Sequence, residues 1–395
     1  DEINHTYNIT EKVFLDVAYY EELYISGRVP QIPMLEFEKK ELVPPEKISN
    51  PKTRTVGMGN FIHQIVYNRI FKDLHTTVKN CWNKGVSIPF AMGVDPERHW
   101  HMIKEHLIWD DYIFDMDVKA WEEKIDQRLL HMSTEVKISI LKESYRIRGL
   151  QFPERFEAIA YSLATNYSIC DVAFQDILYE KRSGLLSGHP GTFMENSEIH
   201  VMIVSLVIFK ILRKHAPRLA HIHFILNNFR FVVAADDILL SASPYGRQFL
   251  TSDNLIDSYK SVGFQLTAAD KSDKIEPKNI LQVQFLKTMF QEIDSIYFPL
   301  PNLSIPNQLF NWFRTDSKLP SSDQIKTNFE AAFRVLWWRG KQIYEEYRSI
   351  VNTACIQNKF KFHYPISFEE FSALLKYDLE ERRNKEMDFP SISTT

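Results

Sequence analysis

The chain has 395 residues, 44% of them apolar, which is enough for two or three cores and excludes a disordered or fibrous protein. Lys and Arg number 47 against 51 Asp and Glu, a formal charge of −4; that balance neither requires nor excludes a polyanionic partner, for which a clustered basic path suffices. Three widely spaced cysteines, Cys81, Cys170 and Cys355, exclude a disulfide framework or a Cys-based zinc site and point to a reducing compartment.

Residues 1–38 mix helix-like and extended patterns, with Val13, Leu15, Tyr19, Leu23 and Tyr24 as apolar anchors ahead of the breaks at Pro30 and Pro33. A chain that begins at Asp1 without a signal peptide reads as a processed product or a fragment. From Glu38 to Arg54 the composition turns basic and proline-broken. A solvated loop fits this stretch, and so does a phosphate path lined by Lys39, Lys47, Lys52 and Arg54. Helical spacing resumes over 62–71. At Gly93-Val-Asp-Pro-Glu-Arg a turn feeds a helix, with Asp95 as cap before Pro96. His99, His101, His106, His215, His221 and His223 match neither an i, i+4 metal pair nor a zinc knuckle and read as structural.

Tyr112-Ile-Phe-Asp-Met-Asp-Val-Lys-Ala-Trp-Glu122 starts as a strand, whose alternation places Asp115 and Asp117 on one face. An acid at a strand end is compatible with a cap or a solvated residue. Residues 123–182 read as mostly helical scaffold, amphipathic around 138–147 and 158–178. Ser183-Gly-Leu-Leu-Ser-Gly-His-Pro-Gly-Thr192 then gathers turn-forming residues before a helix over 193–212. Glycine there permits close backbone approach to a ligand, and Ser187, Thr192 and Asn196 offer polar partners, although an ordinary loop with a Thr cap has the same composition. The longest apolar run, 201–209, ends at Lys210, far short of the roughly 20 residues of a spanning helix.

Phe231-Val-Val-Ala-Ala-Asp-Asp-Ile-Leu-Leu-Ser241 is the stretch around which the rest is organised. Two short apolar strands flank a turn of Ala234-Ala235 and the acids Asp236-Asp237. Paired carboxylates beside an apolar sheet are costly unless a cation compensates them. With Asp117 they would form a three-carboxylate cage for two divalent ions, oxygen-rich and suited to magnesium or manganese rather than zinc. A solvated turn would show the same local pattern. Downstream, 258–272 reads as a helix end, a stop at Gly263, a short strand and a turn; 283–290 reads as a strand. Helical periodicity returns after Pro299, notably over 325–351, and the tail after Phe389 is polar and loose.

In this order the pieces resemble the RNA-dependent RNA polymerases of picornavirus-like positive-strand RNA viruses, over residues 30 to 350 or so. Motif A of that family resembles Asp117-Val-Lys-Ala-Trp-Glu122. Motif B is matched by Ser187, Gly188, Gly191, Thr192 and Asn196, and motif C by Asp236-Asp237. Ala269-Asp-Lys-Ser272 is similar to motif D, Phe285-Leu-Lys287 to motif E, and the Lys39 to Arg54 segment to motif F.

The resemblance implies an α+β right-hand polymerase with an antiparallel palm sheet: fingers over 1–105 and 129–182, palm over 106–128 and 183–290, thumb over 291–395. It implies two Mg2+ or Mn2+ ions held by Asp117, Asp236 and Asp237, and Lys271 as proton donor to pyrophosphate. Lys39, Lys47, Lys52 and Arg54 would hold the triphosphate. Glu122, Ser187, Gly188, Thr192 and Asn196 would bind the substrate, several of them reading the ribose 2′-hydroxyl, while Phe285, Leu286 and Lys287 would grip the primer. The implied partners are an RNA template and primer, ribonucleoside triphosphates and a protein primer, with no transmembrane segment. The implied setting is host cytoplasm, at membrane-associated replication sites.

The chain departs from the family pattern at Ala235, where Gly is usual, at Glu122, where Asp is usual, and at Val43 and Thr288, where basic residues are usual. The N-terminal extension that bridges fingers to thumb is expected to be shortened or absent. Two other readings share parts of the pattern: an inactive polymerase-like RNA-binding scaffold, and a reverse transcriptase, which would exclude the 2′-hydroxyl rather than bind it.

Overall fold

The structure, a computed structural model, describes residues 10–28, 30, 33–39, 55–270, 274–312, 320–359 and 366–376. In chain order these form α1 (Glu11–Ile25), β1 (Met34–Glu38), β2 (Thr55–Met58), α2 (Phe61–Lys79), α3 (Pro96–Leu107), β3 (Ile113–Val118), α4 (Gln127–Ile147), α5 (Glu154–Ser168), β4 (Cys170–Phe174), β5 (Ile177–Lys181), α6 (Thr192–His215), α7 (Ile222–Asn228), β6 (Phe229–Ala234) and β7 (Asp237–Ala242). There follow α8 (Ser252–Ser261), β8 (Leu266–Ala268), β9 (Gln284–Phe285), β10 (Thr288–Ile293), β11 (Ile296–Pro301), α9 (Ser304–Asn311), α10 (Ser321–Trp337) and α11 (Lys341–Gln357). They divide into two compact units, one running to Val94 and again from His106 to Lys278, the other comprising Asp95–Glu105 and the chain from Asn279.

The first unit is built on an antiparallel sheet of order β6-β7-β3-β8. Alternation along β3 sends Phe114, Met116 and Val118 into the core with Ile238, Leu240 and Ala242 of β7, and with Ile199, Val204 and Val207 of α6. Each of these side chains larger than alanine contributes roughly 1.5–3 kcal/mol by leaving water. Asp115 and Asp117 therefore lie on the opposite face, as the spacing implied. A second sheet of order β2-β1-β4-β5 is antiparallel except where β1 meets β4.

In the second unit β9, β10 and β11 form an antiparallel sheet. Helices α10 and α11 bury Phe333, Leu336, Tyr344, Val351 and Cys355 together with Phe371 and Leu375. Asp95 caps α3 by accepting from the Glu97 amide at 3.0 Å, and Glu97 takes a two-pronged contact from the Arg334 guanidinium at 2.8 and 2.5 Å.

Four local expectations are corrected. Leu15 and Tyr19 of α1 are exposed; Tyr24 faces the core as expected, and Val17 and Tyr20 join it there. The amphipathic run over 158–178 is a helix only to Ser168, after which Val172 alternates into the core of a strand pair. The strand over 283–290 is a hairpin: Phe285 pairs with Thr288, and Leu286 and Lys287 form its turn at φ +50° and +60°. No glycine or asparagine marks that turn. Finally, Gly340 at φ +88° separates α10 from α11 within the run expected as helix. Among the described residues no helix is long and apolar enough to cross a membrane. The tail after Phe389 lies outside the described residues.

Candidate active site

Ala234 pairs with Asp237, so the hairpin closes through a two-residue turn of Ala235 and Asp236, and Asp237 opens the second strand. The acids thus stand one at the tip and one at the strand end rather than both in the turn. Ala235 has φ +57°, a left-handed conformation that costs an L-residue roughly 1–2 kcal/mol. Helix α6 offsets that cost. The Ser197 hydroxyl accepts from the Ala235 amide at 3.0 Å, and His200 Nδ1 meets the Ala235 carbonyl at 2.7 Å. A carbonyl only accepts, so Nδ1 carries the proton; the neutral ring then accepts the Tyr259 hydroxyl at Nε2, 3.2 Å away. Burial, against the smaller opposing pull of the Ala235 carbonyl, lowers the His200 pKa to about 4, which keeps that tautomer neutral.

Asp117 stands one residue beyond the Met116–Ile238 pairing of β3 with β7, level with the start of β7. Its side chain hydrogen-bonds that of Asp236. Burial first, then the negative charges of Asp117 and Glu122, push the Asp236 carboxyl up to about 6. Two neighbouring carboxylates, one of them raised by burial and by the charge of the other, are a donor set for a hard divalent cation, which commonly takes one or two protein carboxylates and completes its shell with water and substrate oxygens. The acids present therefore fit magnesium or manganese. Among the described residues no group of three or more His, Cys, Asp or Glu is gathered tightly enough to hold an ion alone. Asp115, on the same strand face, is buried and paired with Lys278 at 2.9 Å, and Lys278 also reaches Asp270 at 3.0 Å.

The 183–191 loop packs against β2. Gly188 donates to the Gly57 carbonyl at 2.8 Å, and a Cβ on Gly188 would stand 2.5 Å from that oxygen; a Cβ on Gly191 would strike the Tyr67 hydroxyl. These glycines admit the close approach of protein backbone at Gly57 and of the Tyr67 hydroxyl. Ser187 donates to the Thr55 carbonyl at 3.3 Å, and Thr192 to the carbonyls of His189 and Leu186 at 2.7 and 3.0 Å. Asn196, one turn into α6, is buried, and its amide oxygen accepts the Trp121 indole N–H at 3.2 Å.

Below this loop lies a buried charged network. Lys137 of α4 pairs with Glu195 at 2.6 Å; Tyr67 donates to Glu195 at 3.0 Å, and Ser133 to Glu198 at 2.6 Å. Burial pushes Glu195 upward, but His189 and Lys137 outweigh it and hold the carboxyl down to about 2. Glu198, where burial dominates, is raised to about 7.

The family model described as "Viral RNA-dependent RNA polymerase" matches residues 21–354. The chain belongs to the viral RNA-dependent RNA polymerase family. Genome polyproteins of human rhinovirus 1A and Cosavirus A (isolate Human/Pakistan/0553/-) are 23% and 22% identical over 325 and 324 residues, 82% of this chain in each case. The chain spans 13% and 14% of those polyproteins. The structure named "Sicinivirus 3Dpol RNA dependent RNA polymerase" superposes with a TM-score of 0.73 at 18% identity, covering 97% of this chain and 72% of that one. The fold is accordingly that of the right-hand polymerases, α+β with antiparallel sheets, as the resemblance implied.

In this member of the viral RNA-dependent RNA polymerase family the first unit brings Asp117, Asp236 and Asp237 to one end of the sheet, with Glu122 within electrostatic reach of Asp236. Ser187, Gly188, Thr192 and Asn196 occupy the loop and first turn of α6. Lys39 is exposed beside β1, whereas Lys47, Lys52, Arg54 and Lys271 lie outside the described residues. Phe285 is buried against Trp100 in the second unit, and Leu286 and Lys287 are exposed at their turn. Sequence reading missed Ser197, His200, Tyr259 and Trp121. Trp121 alone had a signal, its place beside Glu122.

Proposed function

We propose that this chain carries out template-directed RNA synthesis from ribonucleoside triphosphates, replicating a viral RNA genome by two-metal nucleotidyl transfer. The observation that carries the reading is the charge crowding at the hairpin tip, where Asp236 shares a hydrogen bond with Asp117 under the added field of Glu122. When bound, divalent ions would supply charge neutralisation at the attacking hydroxyl and at the pyrophosphate leaving group. Asp117 and Asp236 would hold them, with Asp237 in support. The α6 clamp on Ala235 keeps Asp236 from swinging away, so the acids need no reorganisation when substrate arrives.

The residue roles beyond this pair follow from family membership. Lys271 would protonate pyrophosphate, and Lys39, Lys47, Lys52 and Arg54 would neutralise the triphosphate. Glu122, Ser187, Thr192 and Asn196 would read the 2′-hydroxyl. Because the Ser187 and Thr192 hydroxyls already donate to backbone carbonyls, they would face a ligand as acceptors. Leu286 and Lys287, exposed on their turn, would contact the primer strand. The parcelling into fingers, palm and thumb, the RNA template and primer, a protein primer and a membrane-associated site in host cytoplasm belong to this same proposal.

The test is extension of a primed RNA template with four ribonucleotides and Mg2+ or Mn2+. Extension lost in Asp236→Ala supports the reading. RNA binding without turnover in the wild type would favour a noncatalytic scaffold, and preference for deoxyribonucleotides would favour a reverse transcriptase.

A further inference from the structure

We propose that Trp121 is a specificity-positioning residue: its indole locks the Asn196 carboxamide in the one of its two orientations that presents the amino group, a donor, to the ribose 2′-hydroxyl. The inference rests on the reading of Asn196 as part of the sugar reader and adds what sets its polarity.

An indole N–H can donate and cannot accept. It lies 3.2 Å from the Asn196 side chain with both residues buried, so the atom facing it is the amide oxygen. Turning the amide over would set two donors against each other where water cannot intervene. Trp121 is the one hydrogen-bond partner of the Asn196 side chain among the described residues, so this contact alone sets the flip.

The indole is itself held by two neighbouring rings. Its ring stands 4.7 Å from His200 and 4.9 Å from Phe264, tilted by 35° and 33°. His200 is pinned at both nitrogens, by Ala235 and Tyr259. Asn196, Ser197 and His200 share one turn of α6, so the sugar reader and the clamp on the catalytic hairpin are spaced by a single stretch of helix. Trp121 in turn precedes Glu122, tying the reader to the other acid of motif A.

A preset amino group discriminates because a deoxyribonucleotide leaves it unpaired in a dry site. An amide free to flip can turn away, and the penalty on the wrong sugar shrinks. Trp121→Phe removes the donor and keeps an aromatic ring between His200 and Phe264.

The experiment measures kcat/KM for ribo- and deoxyribonucleotide incorporation on a primed RNA template in wild type, Trp121→Phe, Asn196→Ala and the double variant. The ribose preference is expected to fall on the order of tenfold in Trp121→Phe, the effect of one hydrogen bond to a reading group, and not to fall further when Trp121→Phe is added to Asn196→Ala. Asn196→Asp, which can accept from the indole but has no amino group, is expected to lose the preference while the Trp121 indole proton stays protected from exchange. An equal loss for both sugars in Trp121→Phe, or the same fall with Asn196 already removed, would overturn this role and leave the polymerase reading intact. A wild type that incorporates neither nucleotide would overturn the polymerase reading and this role with it.

Discussion

His200 donates its Nδ1 proton to the carbonyl of Ala235 at 2.7 Å, and so holds in place the one turn residue that stands between the core strand and Asp236. The clamp explains how an alanine is accommodated where the family usually has glycine. Its left-handed backbone is stabilised from outside the hairpin, by a helix that also carries Asn196.

Ala235→Gly should therefore raise the stability of the chain by about 0.5–1 kcal/mol, since relief of the left-handed strain exceeds the added entropy of an unfolded glycine. Urea denaturation checks this through a higher midpoint at unchanged slope. Extension activity should persist, changed in rate or metal preference.

The clamp also predicts how stability depends on pH. Burial holds His200, His75 and His189 down to about 4 and His63 to about 3, against an ordinary value of 6.5. Below pH 6.5 the unfolded chain takes up protons that these folded rings refuse, so stability is full above that value and falls as pH drops toward 4. Each ring contributes on the order of 3 kcal/mol at the acid end. Asp236 and Glu198, raised to about 6 and about 7, act in the opposite sense, because their folded forms keep a proton that the unfolded chain releases. The histidines outweigh them. His200→Gln should flatten the slope of stability against pH between 6.5 and 4 by about one proton, measured by denaturant midpoints across that range.

Lys137 and Glu195 are both buried, and removing one partner strands the other's charge. Lys137→Met should cost about 3–5 kcal/mol, and pairing it with Glu195→Gln should recover a large part of that loss. Thermal or urea denaturation of the single and double variants decides it; a double variant as unstable as the sum of the singles would refute the coupling.

Cations and protons compete for the Asp117–Asp236 pair. Binding of Mn2+ in the absence of nucleotide, followed by titration calorimetry, should weaken as pH falls through about 6, the value to which burial, Asp117 and Glu122 raise Asp236. Asp236→Asn should abolish most of that pH dependence. Affinity that stays level from pH 7.5 to 5 would show that the pair is not the binding site.

The hairpin was readable because its signal is local: β-branched and apolar residues on both sides of two acids leave few alternatives to a turn. The stop at Gly263 and the Asp95 cap were readable for the same reason. The Ser197 and His200 clamp was not. Those residues sit in a helix buried nearly all round, with no polar face against which they would stand out, and their partner lies 35 or more positions away. Lys137 meets Glu195 across 58 positions, a pairing that only the packing of α4 on α6 creates. The strand pair after Ser168 was hidden because its apolar residues continue the helical spacing of α5, and tertiary pairing decided the outcome. In motif B the residue types were legible, but the motif's glycines answer to Gly57 and Tyr67, which no local pattern announces.

The most direct measurement is elongation on a primed RNA template with ribonucleotides and Mg2+ or Mn2+, comparing wild type with Asp236→Asn, which keeps the size of the side chain and removes its charge. Metal-dependent extension in the wild type and a loss of at least a thousandfold, or about 4 kcal/mol of transition-state stabilisation, in the variant is the expected result. Extension by Asp236→Asn at the wild-type rate would contradict the assignment of the Asp117–Asp236 pair as the catalytic centre.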